Sequence, residues 1–371
     1  MNGTADSRVR KSPRWPRGKG RSSWATLLGV CAALVLAELA LRPTIGELDP
    51  FNALPVALDG PSAPVVTIRD LSEGFATAHL TRACARLTGI ADAAGAPYVL
   101  IVGDSFVAAE QVNDRETMGA QLERLSMASG ERINVRQYGW VAAGPAKYIV
   151  EAPDLLKKWQ PALTAVILNE DDFYSVALSD RWASMQWSAG EAPVVRRVSA
   201  GKLSRLHALA ARISQHSALF KALYTRFSLD VWPGLYAALT PRRAKAPDAG
   251  QDEGDQSRGP DMPDIVRESL MGLQRAYGSH LELIFAAEPG LQDQPDQEEE
   301  EFLRQCSVQK IACLSTREAF DHARDSGEFL AAGFSNSRPA AGHYNAHGHQ
   351  IFAEDIWEEY QKMRGMRGAL E

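Results

Sequence analysis

The chain has 371 residues, of which 45% are hydrophobic and 23% are charged, a composition typical of a globular protein that buries a core. The formal net charge is −6, yet residues 1–23 carry seven basic side chains against one acidic side chain, so the remainder is strongly acidic. An acidic body is unsuited to following a phosphate backbone, and we expect no nucleic-acid partner.

The basic head, residues 1–23, leads directly into the apolar segment 24–41. A segment of that length can cross a bilayer as a helix, and basic residues on its N-terminal side predict a cytoplasmic head with an exported body. A cleaved signal peptide is the alternative; no small-x-small cleavage site follows, and Glu38 and Arg42 lie at the far end. Residues 42–64 are rich in proline and predict a spacer.

Residues 65–365 alternate between strand and helix patterns and predict one domain. This alternation is typical of an α/β fold in three layers, with a mostly parallel central sheet covered by helices. Few apolar residues lie between 241 and 263, which predicts a disordered surface insertion. Strands are expected at 98–103, 133–138, 164–168, 281–287 and 310–314, and helices near 118–125, 203–225, 264–277 and 346–364.

Four cysteines are present. Cys31 lies in the apolar segment, Cys84 is isolated, and Cys306 and Cys313 are close in sequence. An exported domain could oxidise the last two to a disulfide, whereas buried free thiols are the alternative.

Polar clusters follow three of the predicted strands. Ligands of open α/β sheets bind beyond the carboxyl ends of the strands, so these clusters are candidate site residues. The first cluster contains Asp104 and Ser105, where a preceding glycine permits a tight turn. The second is the small-residue loop 139–145, whose backbone N–H groups can approach a substrate oxygen. The third is the acidic run Asn169-Glu-Asp171-Asp.

A histidine-rich segment precedes the last predicted helix. Asn345 is suited to cap that helix, and His343 lies just before the cap. A base at this position could take the proton of Ser105 and pass it to a leaving group. Metal binding by His343, His347 and His349 is an alternative.

These blocks, in their order and flanking residues, resemble those of the SGNH (GDSL-type) hydrolase superfamily, in its bacterial membrane-anchored form. The resemblance covers roughly residues 65–362 and rests on Val99–Phe106, Gly139–Pro145, Asp171–Phe173 and His343–His349. It implies a flavodoxin-like three-layer fold without a metal or cofactor. It also implies a location at the bacterial inner membrane, with the catalytic domain on the periplasmic side.

The resemblance also implies residue roles. Ser105 corresponds to the nucleophile and first oxyanion donor, and His343 to the general base. The second donor of the family is a glycine N–H; Ala142 aligns with it, and Gly144 follows two residues later. The third donor is an asparagine side chain; Asp171 aligns with it, and Asn169 lies two residues earlier. A carboxylate at that position would repel a developing oxyanion.

A further departure concerns the acid that orients the catalytic histidine. The family carries it two or three residues before the histidine, where this chain has Ala340 and Ala341. A backbone carbonyl or a distant carboxylate could replace it. Two functions are therefore open: a serine esterase or O-acyltransferase acting on acetyl or similar esters of envelope polysaccharide or another small ester, and a catalytically degenerate binding or scaffolding protein.

Overall fold

The central sheet contains a run of parallel strands that carry the core of the domain. The computed structural model describes residues 20–42, 57, 65–69, 73–173, 183–188, 191–197, 213, 217–220, 261–288, 296–327 and 330–368. Within these residues the sheet strands are β1 (Val65–Arg69), β2 (Thr77–Thr81), β3 (Ala85–Arg86), β4 (Tyr98–Gly103), β5 (Asn134–Gly139), β6 (Leu163–Leu168), β9 (Leu281–Phe285) and β10 (Cys313–Ser315). A separate antiparallel hairpin is formed by β7 (Ala183–Ser188) and β8 (Glu191–Arg197).

The strand order explains where a site forms. The sheet runs β1-β2-β3-β5-β4-β6-β9-β10, and the strands from β5 to β10 pair in parallel. In chain order these five follow the 2-1-3-4-5 arrangement of flavodoxin-like folds. Their order reverses between β4 and β6, so the connections leave on opposite faces and open a crevice at the carboxyl ends of these two strands.

Helices cover the sheet. They are α2 (Ser105–Ala108), α3 (Met118–Ala128), α4 (Pro145–Trp159), α5 (Met262–Tyr277), α6 (Gln297–Gln309), α7 (Arg317–Asp325) and α8 (Ala346–Gly368). Helix α3 packs against α8, whereas α4 packs against α5, which contacts α6. The predicted α/β class and mostly parallel sheet are confirmed. The strand cores explain this arrangement, because β4, β6 and β9 are buried almost throughout, as strands covered on both faces must be.

Some boundaries differ from the predicted ones for local reasons. Helix α5 begins at Met262, earlier than predicted, because the Asp261 side chain accepts a hydrogen bond from the N–H of Asp264 and caps the helix. Strand β10 begins later than predicted, because Lys310 ends α6 in the left-handed conformation. The antiparallel strands β1, β2 and β3 were not predicted, since they are short and have no continuous apolar run.

The N-terminal helix α1 (Gly20–Leu41) contains the stretch Trp24–Leu41, whose length and mean hydropathy of 2.1 suffice to cross a membrane. The predicted spacer 42–64, insertion 241–263 and helix 203–225 lie mostly outside the described residues, so these predictions stay open, except that the last two residues of the predicted insertion belong to α5. Cys306 and Cys313 are joined by a disulfide, which links the end of α6 to β10.

Candidate active site

Ser105 lies at the turn where β4 passes into α2, at the crevice between β4 and β6. Asp104 caps this short helix, and its Oδ1 accepts a hydrogen bond of 2.9 Å from the N–H of Phe106. The turn packs closely on β5: a Cβ on Gly139 would lie 1.9 Å from the backbone nitrogen of Ala108. Glycine is therefore required at the end of β5 so that the serine turn can close over it.

Asn169 joins the end of β6 to the serine turn. Its Nδ2 donates to Asp104 Oδ2 at 2.9 Å, and its backbone N–H donates to Asp172 Oδ2 at 3.0 Å. Burial raises the pKa of both carboxyl groups, and the charge of Asp104 raises that of Asp172 further. Asn169 is thus fixed beside the nucleophile turn, whereas Asp171 is exposed on the neighbouring 3-10 turn.

His343 has a carboxylate partner, Glu73. The imidazole Nδ1 lies 2.7 Å from Glu73 Oε2, and the backbone N–H of His343 donates to Glu73 Oε1 at 3.1 Å. Burial raises the pKa of Glu73, but its hydrogen bonds to His343 and the charge of the imidazole outweigh burial and lower it below its ordinary value. A carboxylate on Nδ1 leaves Nε2 as the nitrogen available for proton transfer.

The loop before His343 is shaped around this glutamate. Gly342 has φ of +81°, and a Cβ there would lie 2.3 Å from Glu73 Oε1. The next residue of the glutamate's own segment, Gly74, donates its N–H to Asn336 Oδ1 at 2.9 Å. The two segments therefore fit each other, with the carboxylate of Glu73 occupying the space that a side chain at Gly342 would take.

The serine turn and the histidine segment meet through aromatic contacts. The ring of Phe106, next to Ser105, lies 5.3 Å from that of His343 and 4.7 Å from that of Tyr344, centroid to centroid. Tyr344 is buried and donates its hydroxyl to the carbonyl oxygen of Ala287 at 3.0 Å, which holds the segment against the end of β9. His343 and Ser105 are in this way brought to one end of the sheet.

A cavity of about 120 Å³ opens beside these residues. Its walls come from α2, the ends of β6 and β9, the start of α6 and the segment before α8. The lining residues are Phe106, Asn169, Glu170, Asp171, Phe285, Ala286, Glu288, Asp296, Ala340, Ala341, Gly342 and Tyr344. Ala340 and Ala341, the two alanines that precede Gly342, thus line the cavity itself.

The proposed glycine-type donors lie on the loop after β5. Ala142 is exposed with φ of +55°, a conformation that favours glycine, and Gly144 is buried as the N-cap of α4. This loop leaves the strand next to β4, since Gly139 pairs with Gly103 and the N–H of Trp140 donates to Gly103. Neither Ala142 nor Gly144 lines the cavity, so their part in an oxyanion hole stays a prediction.

The remaining histidines of the segment lie on α8. Asn345 Oδ1 accepts hydrogen bonds from the N–H groups of His347 and Gly348, as predicted for a cap. His349 is buried, and burial lowers its pKa to about 3, with the charges of Arg86 and His343 adding to the effect. Within the described part of the chain, no group of three histidine, cysteine or acidic side chains is placed to hold a metal ion.

Sequence reasoning allowed for a distant carboxylate but did not find Glu73. The glutamate precedes His343 by 270 positions in sequence, and its segment has no apolar periodicity. The only local signal is the glycine that follows it, Gly74, whose φ of +81° and close approach to Gln111 require glycine.

The comparisons with known proteins give structural matches of low identity. No family model matches the sequence, and no curated protein matches it. An α/β hydrolase from the metagenome of Lake Arreo, Spain, matches with 13% identity and a TM-score of 0.38, covering 73% of this chain and 98% of that chain. A lipolytic G-D-S-L family protein from Veillonella parvula matches with 12% identity and a TM-score of 0.36, over 71% and 97%.

An acetyl xylan esterase from Geobacillus stearothermophilus matches with 12% identity and a TM-score of 0.38, covering 71% of this chain and 94% of that chain. Matches at these values assign no residue a role. The class of this protein is defined by its own geometry: a doubly wound α/β fold with a serine, a histidine and a carboxylate grouped at the switch point of the sheet.

Proposed function

We propose that this protein is a serine ester hydrolase in which Ser105 is the nucleophile, His343 the general base and Glu73 the acid that orients it. The observation that carries the proposal is the two-point contact of Glu73 with His343, 2.7 Å to Nδ1 and 3.1 Å to the backbone nitrogen. It supplies the partner that Ala340 and Ala341 do not, next to a serine turn of the type the resemblance implies.

The chemistry follows from these positions. Ser105 Oγ attacks the ester carbonyl while its proton passes to Nε2 of His343. The tetrahedral intermediate then expels the alcohol, which takes that proton, and leaves an acyl-serine. Water, deprotonated by the same imidazole, releases the acid and restores Ser105. Glu73 stabilises the imidazolium in both steps.

The oxyanion is expected to be stabilised by the backbone N–H of Ser105 and by Asn169. The Asn169 amide already donates one hydrogen to Asp104 Oδ2, which fixes its orientation and leaves the second hydrogen for a substrate oxygen. The N–H groups of Ala142 and Gly144 are the further candidates. Asn169 is favoured over Asp171 because only Asn169 is bonded to the serine turn, and an amide can donate whereas a carboxylate cannot.

We further propose that the domain acts outside the cytoplasm, at the bacterial inner membrane, on acetyl or similar esters of envelope polysaccharide. The basic head before α1 favours this topology, and the disulfide between Cys306 and Cys313 is compatible with an oxidising compartment. Transfer of the acyl group to a sugar hydroxyl instead of water would use the same residues.

A binding protein that has lost catalysis is the second candidate. It is favoured by the position of Asp171, because this acidic residue lines the cavity, and a carboxylate there would repel a developing oxyanion. It is disfavoured by the place of the Glu73–His343 contact, which lies beside Phe106 of the serine turn and beside the cavity, where proton transfer to a substrate would occur.

Hydrolysis of p-nitrophenyl acetate by the full chain in a neutral detergent tests the proposal. We expect turnover by the wild type and background rates for Ser105→Ala, with an acyl-enzyme detectable by mass spectrometry only when Ser105 is present. Full activity of Ser105→Ala would refute the role of the serine. Absence of both turnover and acylation, with acetylated polysaccharide as well as with the model ester, would favour the binding protein.

A further inference from the structure

The cavity beside Ser105 and His343 has two kinds of wall. One consists of carboxyl-bearing residues from three separate elements: Glu170 and Asp171 after β6, Glu288 after β9 and Asp296 at the start of α6. The other is apolar: Phe106 is half-buried beside the cavity, and Phe285 and Tyr344 are fully buried behind it. Carboxylates beside an aromatic ring are surroundings that favour an ammonium ion.

The acidic wall is only partly compensated within the described residues. Arg317 is a cation near this wall, and its guanidinium is bonded to Glu299 at 2.5 Å and lies 3.8 Å from Asp296. No described residue forms an ion pair with Glu170, Asp171 or Glu288.

The pKa of Glu170 is shifted by the negative charges around it. Burial raises its pKa to about 7, and the charges of Glu288, Asp296, Asp171 and Glu298 add to the effect. Carboxylates that repel one another to this extent favour any cation that enters among them, because the cation relieves both the repulsion and the cost of burial.

We infer that the cavity binds a protonated or quaternary amine carried by the ester substrate, and that esters with a negative charge at the same place are rejected. This inference rests on the proposed function, since it treats the cavity as the substrate site. It narrows the substrate class from esters in general to ammonium-bearing esters, such as those of an amino sugar or an amino alcohol.

The test compares three acetyl esters that differ in charge: acetylcholine, its neutral isostere 3,3-dimethylbutyl acetate, and the anionic 2-acetoxyethanesulfonate. Acetate release by the full chain in neutral detergent gives kcat/KM for each. We expect acetylcholine to exceed the neutral ester by about tenfold and the anion to be the poorest substrate. The double variant Glu170→Gln/Glu288→Gln should lose this preference. Glu358→Gln, which removes one charge from the exposed face of α8, should retain it.

Equal kcat/KM values for the cationic and neutral esters, or an unchanged preference in the double variant, would overturn the inference and leave the proposed hydrolase intact. If none of the esters is hydrolysed, the hydrolase proposal fails, and ligand-observed NMR with choline on the same preparation decides the cation site by itself. Choline does not titrate, so its affinity should rise severalfold, at most about tenfold, from pH 6 to pH 8 as Glu170 ionises. Absence of choline binding would overturn the inference.

The source of the amine is distinguished by a second set of probes. Glucosamine beside glucose tests for an amino sugar, and ethanolamine beside ethylene glycol tests for an amino alcohol. In each comparison the amine should compete with choline, and the neutral partner should not. Competition by glucose as strong as that by glucosamine would contradict a requirement for charge.

Discussion

Among the residues that the structure describes, His343 and His79 each contact a carboxylate through Nδ1, and His343 is the one at the candidate site. His343 contacts Glu73 at 2.7 Å, and His79 on β2 contacts Asp114 at 2.6 Å. The two imidazoles are similarly exposed, at 28% and 37% of the side chain. Distance and exposure therefore do not separate them.

The surroundings of the two carboxylates do separate them. Asp114 is shared with the buried guanidinium of Arg86, which also donates to the carbonyl oxygens of His79 and Val112. That carboxylate neutralises a buried charge and holds β2 to the 3-10 turn after α2. Glu73 has no such second partner among the described cations; both of its oxygens face His343, beside Phe106 and the cavity. The neighbouring groups, and not the histidine–carboxylate contact itself, make His343 and Glu73 candidates for catalysis.

The largest effect on activity is expected from replacing each of the two histidines by asparagine. His343→Asn should lower kcat/KM for p-nitrophenyl acetate by roughly 10³-fold, because it removes the base that deprotonates Ser105. His79→Asn, the matched control, should stay within about twofold of the wild type, since its imidazole contacts Asp114 and not Glu73. Similar losses in both variants, at equal folded fractions by circular dichroism, would contradict the distinction.

Replacing Glu73 should affect catalysis, whereas replacing Asp114 should affect stability. Glu73→Gln keeps the size of the side chain but not its charge, and we expect kcat to fall by roughly 10²-fold or more. Asp114→Asn should instead lower the free energy of unfolding by on the order of 3 kcal/mol, because it leaves Arg86 buried without its charge partner.

Kinetics and urea unfolding on both variants check these expectations, and Glu73→Asp should recover part of the activity. A Glu73→Gln enzyme with wild-type kcat would remove Glu73 from the mechanism. A loss of stability without a loss of kcat would assign it the same structural part as Asp114.

A smaller effect is expected at Gly342. In Gly342→Ala the new Cβ would displace the Glu73 carboxylate, and misplacement of an orienting group should lower kcat by roughly tenfold. Gly278→Ala is the control: its φ of +76° is also one that favours glycine, but nothing lies within 4 Å of the added Cβ. Both variants should lose stability by about 1 kcal/mol from strain, and only Gly342→Ala should lose kcat. Equal kcat values would contradict the fit between the two segments.

The part of this site that the sequence predicts is the part held by local structure. Ser105 follows a continuous apolar strand, and His343 precedes a helix whose cap, Asn345, is visible in the sequence, so both positions follow from strand and helix patterns. The sequence predicts a mostly parallel sheet but not which strands are neighbours, since strand pairing joins segments that are far apart in the chain.

Glu73 shows why the rest was not predicted. Its role depends on a turn between short antiparallel strands being placed against a loop 270 residues away, and nothing in either segment specifies the other. The acidic wall is similar, because its four carboxyl-bearing residues come from three elements that meet only in the folded sheet.

The smallest expected effect is on the pH dependence of the free energy of unfolding, where the direction of the change is the result that matters. The pKa of Glu73 is lowered in the folded protein from its ordinary 4.5, because its hydrogen bonds to His343 outweigh burial. Its stabilisation is therefore present above the unfolded pKa and is lost as the pH falls through the lower folded pKa. The difference in unfolding free energy between the wild type and Glu73→Gln should shrink as the pH falls below the ordinary 4.5.

Glu282 on β9 provides the opposite sign. Burial raises its pKa to about 8, and the charge of Glu359 adds to the effect, so folding favours the protonated form. As the pH rises from the ordinary 4.5 towards 8, Glu282 ionises in the unfolded chain but stays protonated in the folded protein, so the free energy of unfolding falls. Glu282→Gln should accordingly become more stable than the wild type over this range. Urea unfolding in neutral detergent from pH 3 to pH 8 measures both variants, and slopes of the same sign would show that Glu73 is held by burial alone and not by His343.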